Sequence, residues 1–136
     1  MRIAILGGGR VGSALAASWG ERGHDVSVST RDTVAETAAA ADIVVLALPA
    51  RAVPDVLAAA GSLAGKVVVD STNNVSGGPG GLEIAALAPG ARYVKAFNTV
   101  FATFMHETPP ERPASLVLCG DDEEAKRVAS ELVRDL

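Results

Sequence analysis

Little in this sequence allows covalent staples, membrane spans or nucleic-acid contact. One cysteine, Cys119, occurs in 136 residues, so no internal disulfide can form. A reducing, cytoplasmic setting is the simplest expectation for such a chain. Aromatics are scarce: one Trp, one Tyr and three Phe. Alanine, valine and leucine must therefore do most of the packing, and small side chains favour close helix-on-sheet contact. The longest apolar run, Ile43 to Leu48, falls far short of the ~20 residues of a spanning helix. The first residues run straight into a glycine motif and lack the shape of a secretion signal. The net charge is −4 and no stretch of Lys and Arg forms a basic stripe. That balance argues against nucleic acid or an anionic membrane as partner. What is left, 49% hydrophobic and 21% charged, suits a single domain over residues 1–136 with one buried core.

Strand and helix signals alternate along the chain. Arg2 to Leu6 reads as a buried strand that stops at Gly7-Gly8-Gly9. Val11 to Arg22 follows as a helix with Val11, Leu15, Ala16 and Trp19 on one face, ended by Gly23. Val26 to Thr30 alternates as a second strand, Thr33 to Ala41 is alanine-rich and helical, and Ile43 to Leu48 is a strand stopped by Pro49. Val53 to Ala60 is a helix with Pro54 in its first turn, where proline is tolerated. Lys66 to Asp70 and Tyr93 to Ala96 read as strands on either side of a short helix, Leu82 to Ala88. Ser115 to Cys119 reads as the last strand, with Cys119 buried and inert. A closing helix spans Asp121 to Leu136, where Asp121 and Glu124 have capping-box spacing. This order predicts a Rossmann-type α/β fold: a doubly wound, mostly parallel sheet with helices on both faces.

Gly7, Gly9 and Gly12 form G-x-G-x-x-G in the context that gives the motif meaning, after a strand and at the opening of a helix. Gly7 would allow the tight turn, Gly9 the approach of a pyrophosphate, and Gly12 close packing of helix on strand. Free N–H groups at the helix start would meet the phosphates. Arg10, between the second and third glycines, either flanks the nucleotide or faces solvent.

The end of the second strand decides between NAD and NADP. An acid there accepts from the ribose 2′-OH of NAD. Thr30 falls at that position and Arg31 follows it. A neutral hydroxyl and a guanidinium suit a 2′-phosphate instead, so NADP(H) is the expected cofactor. Two alternatives stay open: a longer strand would bring Asp32 to the NAD position, or Arg31 and Asp32 are solvated turn residues. Leu48 and Pro49 end the central strand, where the chain commonly packs on a dinucleotide.

Further blocks carry a resemblance. Gly23-His24-Asp25-Val26, Ser29-Thr30-Arg31, Ala41-Asp42-Ile43-Val44-Val45-Leu46-Ala47-Leu48-Pro49, Gly65-Lys66-Val67-Val68-Val69-Asp70-Ser71-Thr72-Asn73, Val94-Lys95-Ala96-Phe97-Asn98-Thr99 and Cys119-Gly120-Asp121-Asp122 occur in this order. Together they resemble the NADPH-dependent deazaflavin (coenzyme F-420) reductase family, and the cytoplasmic domains of eukaryotic metalloreductases look related. The resemblance implies hydride transfer between NADP(H) and a deazaflavin or flavin. It implies that Gly8, Gly9, Arg10 and Val11 line the pyrophosphate, that Thr30 and Arg31 hold the 2′-phosphate, and that Ala96, Phe97 and Asn98 face the nicotinamide. Two departures stand out. The short Arg31-to-Asp42 connection lacks a helix and strand that family members carry, which would leave an exposed sheet edge and favour a homodimer. The family also continues past the helix that ends here at Leu136. The chain is therefore read as a fragment, a trimmed form or a minimal relative, with NADP(H) binding surviving more readily than full catalysis.

Other polar residues are weaker candidates. Ser71, Thr72, Asn73 and Asn74 crowd the end of a strand, where they contact a ligand or simply build a turn. Asn73 and Asn98 are the preferred contacts. His106 beside Glu107 has the makings of a proton shuttle but lacks a nucleophile. His24 reads as structural. Lys95 either reaches the cofactor or faces solvent. The acids at 121–124 look like helix-start charge rather than a metal site.

Overall fold

Five parallel strands stand side by side in the order β2-β1-β3-β4-β5 in this computed structural model, which describes residues 1–106 and 115–136. They are β1 Arg2–Leu6, β2 Asp25–Ser29, β3 Ile43–Leu46, β4 Val67–Asp70 and β5 Arg92–Lys95. The helices among the described residues are α1 Arg10–Glu21, α2 Val34–Ala40, α3 Val53–Ala60, α4 Gly81–Leu87, α5 Ala102–His106 and α6 Glu123–Arg134. None of the helices searched is long and apolar enough to cross a membrane.

Alternation along the strands builds two cores. Ile3, Ile5, Ile43, Val45, Val67 and Val69 face one side, against Leu15 and Trp19 of α1, Met105 of α5 and Leu132 of α6. Ala4, Leu6, Val44, Leu46 and Val68 face the other, against Val34 of α2, Val53 and Leu57 of α3 and Ile84 of α4. Strands covered on both faces are apolar almost throughout, which is why Ile43–Leu46 and Val67–Val69 read as unbroken hydrophobic runs, with β4 closing on the buried Asp70. Each fully buried Val, Leu or Ile contributes about 1.5–3 kcal/mol relative to exposure. Among the described residues the sheet ends at β2, as the short Arg31-to-Asp42 connection implies.

The structure departs from the sequence reading near the C-terminus. Ser115 to Cys119 is not a strand. It makes one antiparallel bridge to β5, with Lys95 N–H donating to Cys119 O at 2.8 Å and Cys119 N–H to Lys95 O at 3.0 Å. Among the described residues no second layer buries its outer face: Val117 is 66% exposed and the Cys119 thiol is free and exposed, not buried. The cap of α6 is Asp122 rather than Asp121. Its carboxylate accepts from Ala125 N–H at 2.9 Å, the spacing a cap requires, and also pairs with Arg92 at 3.3 Å. Helix α5 was not anticipated, because five residues are too few to show a helical period. His24 is structural: its Nδ1 lies 3.2 Å from the Met1 amine and its Nε2 2.9 Å from Asp135 Oδ2.

Candidate nucleotide-binding cleft

The turn from β1 into α1 depends on two glycines. Gly7 has φ +119°, and a Cβ there would overlap the Ala47 carbonyl oxygen. Gly12 is buried, and a Cβ on it would run into the Gly7 carbonyl and press on Ile5 at 3.1 Å. The first turn of α1 is thereby held against β1. Gly9 is the N-cap of α1 and supplies no side-chain cap, and the first turn carries no acid. Nothing stands within 4 Å of where a Gly9 Cβ would be. The positive end of the helix thus opens onto free space without a side-chain acceptor of its own.

A cleft of about 640 Å³ opens beside this turn, at the carboxyl ends of β1, β2 and β3. Gly7 and Gly8 form its floor, with Ser29, Thr30 and Arg31 at one end and Leu48 on the side of β3. The register Leu6–Ser29 places Thr30 immediately beyond the strand, level with Gly7. Thr33 fixes the turn that follows: its hydroxyl accepts from Thr30 N–H at 2.9 Å and lies 3.1 Å from the Thr30 hydroxyl. Arg31 is exposed and lines the cleft, whereas Asp32 is exposed but does not line it.

The remaining wall escaped the sequence reading. Val34 of α2, together with Ala52, Asp55, Val56 and Ala59 from the α3 region, closes the cleft over its apolar end. A signal was present. Val53, Leu57 and Ala60 are the buried stripe of α3, and the apolar residues at 52, 56 and 59 make a second stripe beside it, with Val56 half-buried at the edge of the core.

Several expected residues stand beside the cleft or beyond it rather than in its lining. Gly9, Arg10, Val11, Gly12 and Pro49 do not line the cleft. Val11 packs against the core, Arg10 is exposed, and Pro49 precedes the short 3-10 turn Ala50–Ala52. Asn73 and Asn98 meet each other beyond β4 and β5, with Asn73 Nδ2 donating to Asn98 O at 2.8 Å. Ala96 is fully buried, and its N–H donates to Asp70 O at 3.0 Å.

Asp70, at the end of β4, is a fully buried carboxylate with a complete set of donors. It accepts from the Tyr93 hydroxyl at 2.6 Å, from Lys95 Nζ at 2.9 Å and from Thr72 N–H at 2.8 Å. Lys95 Nζ also donates to Thr72 O at 2.9 Å. Burial, then the hydrogen bond to Asp70, pushes the Tyr93 phenol well above its ordinary range. Tyr93 and Lys95 line a second hollow of about 530 Å³ beyond β5, but their polar atoms are turned to Asp70. His106 lies 3.7 Å from Glu21, and its sequence neighbour Glu107 falls outside the described residues. Among the described residues no group of three or more His, Cys, Asp or Glu is placed to hold a metal ion.

Comparison with known proteins points one way. The family described as NADP oxidoreductase, coenzyme F420-dependent, matches residues 2–34 and 31–74. A crystal structure from Arthrobacter sp. FB24, provisionally described as an F420-dependent NADP-reductase, is 30% identical with a TM-score of 0.85. The match covers 98% of this chain and 80% of that one. A reductive aminase from Aspergillus terreus, solved in complex with NADPH and ethyl levulinate, is 26% identical with a TM-score of 0.64, over 76% of this chain and 43% of that one. Metalloreductase STEAP3 of Rattus norvegicus is 35% identical over 81 residues, which is 55% of this chain and 17% of that protein. The chain thus matches a small part of this curated relative.

Proposed function

Because the chain belongs to the family of coenzyme F420-dependent NADP oxidoreductases, we propose that it binds NADP(H) in the cleft beside Gly7 and acts as an oxidoreductase on a deazaflavin or flavin. One observation carries the cofactor choice: a single cleft joins the glycine turn to Thr30 and Arg31, with no acid at the end of β2. A carboxylate there would repel a 2′-phosphate, whereas the Arg31 guanidinium complements it with charge-assisted hydrogen bonds.

The site fits the group. The uncapped start of α1, with open space at Gly9, is a cradle for a pyrophosphate. Leu48, Val34, Val56 and Ala59 offer an apolar slot for adenine. Thr30 and Arg31 would hold the 2′-phosphate, and Asn73 and Asn98 stand where the ends of β4 and β5 would meet the nicotinamide half. When bound, NADP(H) supplies or accepts a hydride. The chain's own residues orient the nucleotide and exclude water, and alignment of two rings asks for little acid–base help.

A reductase of a carbonyl or imine substrate would need a proton donor. Of the candidates His106, Tyr93 and Lys95, the last two already donate to the buried Asp70 and His106 stands 3.7 Å from the exposed Glu21, which favours the flavin-type acceptor. Titration of NADPH and NADH followed by thermal shift tests the reading, together with oxidation of NADPH in the presence of a deazaflavin or flavin. Stabilisation by NADPH well beyond that by NADH, with turnover, is expected. Tight NADPH binding without turnover would leave a non-catalytic NADP(H)-binding module, and no response to either nucleotide would remove both readings.

A further inference from the structure

We infer that Phe97 is a positioning residue: its left-handed backbone, locked against Trp19, sets where Asn98 stands beyond β5, outside the cleft and on the side where the nicotinamide half of a bound dinucleotide would lie. Among the described residues Phe97 is the one non-glycine with positive φ, at +67°. A bulky side chain rarely adopts that conformation, and it persists only where the surroundings over-determine it.

Here they do. The Phe97 ring is 1% exposed and meets the Trp19 ring edge-on, with centroids 5.5 Å apart and planes at 75°. Trp19 is itself pinned, because its Nε1 donates to Leu132 O of α6 at 2.9 Å. The backbone is tied on both sides of Phe97. Ala96 N–H donates to Asp70 O at 3.0 Å, and Asn98 O accepts from Asn73 Nδ2 at 2.8 Å. Released from Trp19, the chain at 97 would relax toward negative φ and swing Asn98 out of register with Asn73.

Position gives this device a use. The cleft occupies the ends of β2, β1 and β3, and β5 lies two strands beyond β3. At about 4.8 Å per strand that is about 10 Å, within reach of the second half of a dinucleotide laid across the sheet. The inference rests on the NADP(H) reading above.

Calorimetric titration with two probes separates the two ideas. Adenosine 2′,5′-bisphosphate carries the adenosine and 2′-phosphate without a nicotinamide, and NADP⁺ carries both halves. Phe97→Ala is expected to weaken NADP⁺ about three- to tenfold, the cost of re-ordering a loop on binding, while leaving the bisphosphate within about twofold. Phe97→Leu keeps buried apolar volume without the aromatic edge contact. It should show the same split to a smaller degree, and it carries the test should the alanine variant fail to fold. Equal affinities in variant and parent for both probes, or parallel losses for both, would overturn the inference and leave the NADP(H) reading standing. A parent that binds neither probe would remove the NADP(H) reading itself.

Discussion

The hydroxyl of Tyr93 donates to Asp70 across 2.6 Å, joining the edge strand β5 to a carboxylate that no solvent reaches. Tyr93 is the chain's one tyrosine, so its ionisation can be followed without interference. Burial and then Asp70 raise its pKa, which means that the folded state holds the protonated phenol. The stability from this group is complete below the unfolded phenol value of about 10 and declines as pH climbs above it, because only the unfolded chain then ionises. Tyrosinate absorbance should stay absent at pH values where far-UV circular dichroism still reports the fold, and appear together with unfolding. Tyr93→Phe should flatten the alkaline loss of stability. Normal titration of the phenol in the folded protein would show that the bond to Asp70 does not persist in solution.

Asp70→Asn removes the charge that Lys95 answers. Breaking a buried pair costs about 3–5 kcal/mol. Because the Lys95 side chain is 24% exposed, a loss of about 2 kcal/mol is the expectation from urea unfolding. Adding Lys95→Met should recover part of that loss, since the stranded ammonium is then gone. Unchanged stability in the single variant would mean that the pair contributes nothing.

Two glycines of α1 should respond in opposite directions. Gly12→Ala places a methyl on the Gly7 carbonyl and should destabilise by about 1–3 kcal/mol or more. At Gly20 no atom stands within 4 Å of the place a methyl would take, so Gly20→Ala should stabilise by about 0.4–1 kcal/mol through the unfolded state. Denaturant midpoints of the two variants compare them directly.

Arg31→Ala should weaken NADPH by about tenfold or more, the worth of a hydrogen bond to a charged group, and leave NADH nearly unchanged. Calorimetry with both nucleotides gives the ratio. A parallel loss for both would place Arg31 outside the 2′-phosphate site.

Much of the architecture could be read from the sequence because parallel strands buried on both faces are marked by composition alone, as at Ile43–Leu46 and Val67–Asp70. The glycine turn was legible for a related reason: Gly7 and Gly12 answer local steric demands that adjacent residues create. The wall formed by Ala52, Val56 and Ala59 was harder to see. Those residues belong to a different crossover and come over the cleft only through the sheet order. The left-handed backbone at Phe97 left no mark, since nothing in a phenylalanine advertises positive φ and its cause, Trp19, lies far away along the chain. Cys119 was misjudged because an apolar neighbourhood implied a strand, and a strand implied a covering layer that the described residues do not provide.

The position of α3 has a wider consequence. Val53 and Leu57 anchor the helix to the sheet, while Ala59 is exposed to the cleft and Val56 lines it from the edge of the core. A lineage can therefore add or remove bulk at Ala59 without touching the glycine turn at Gly7 or the guanidinium at Arg31. If NADP(H) lies there as proposed, tolerance for an altered nucleobase and preference for a phosphorylated ribose become separately adjustable traits, open to drift or engineering one at a time.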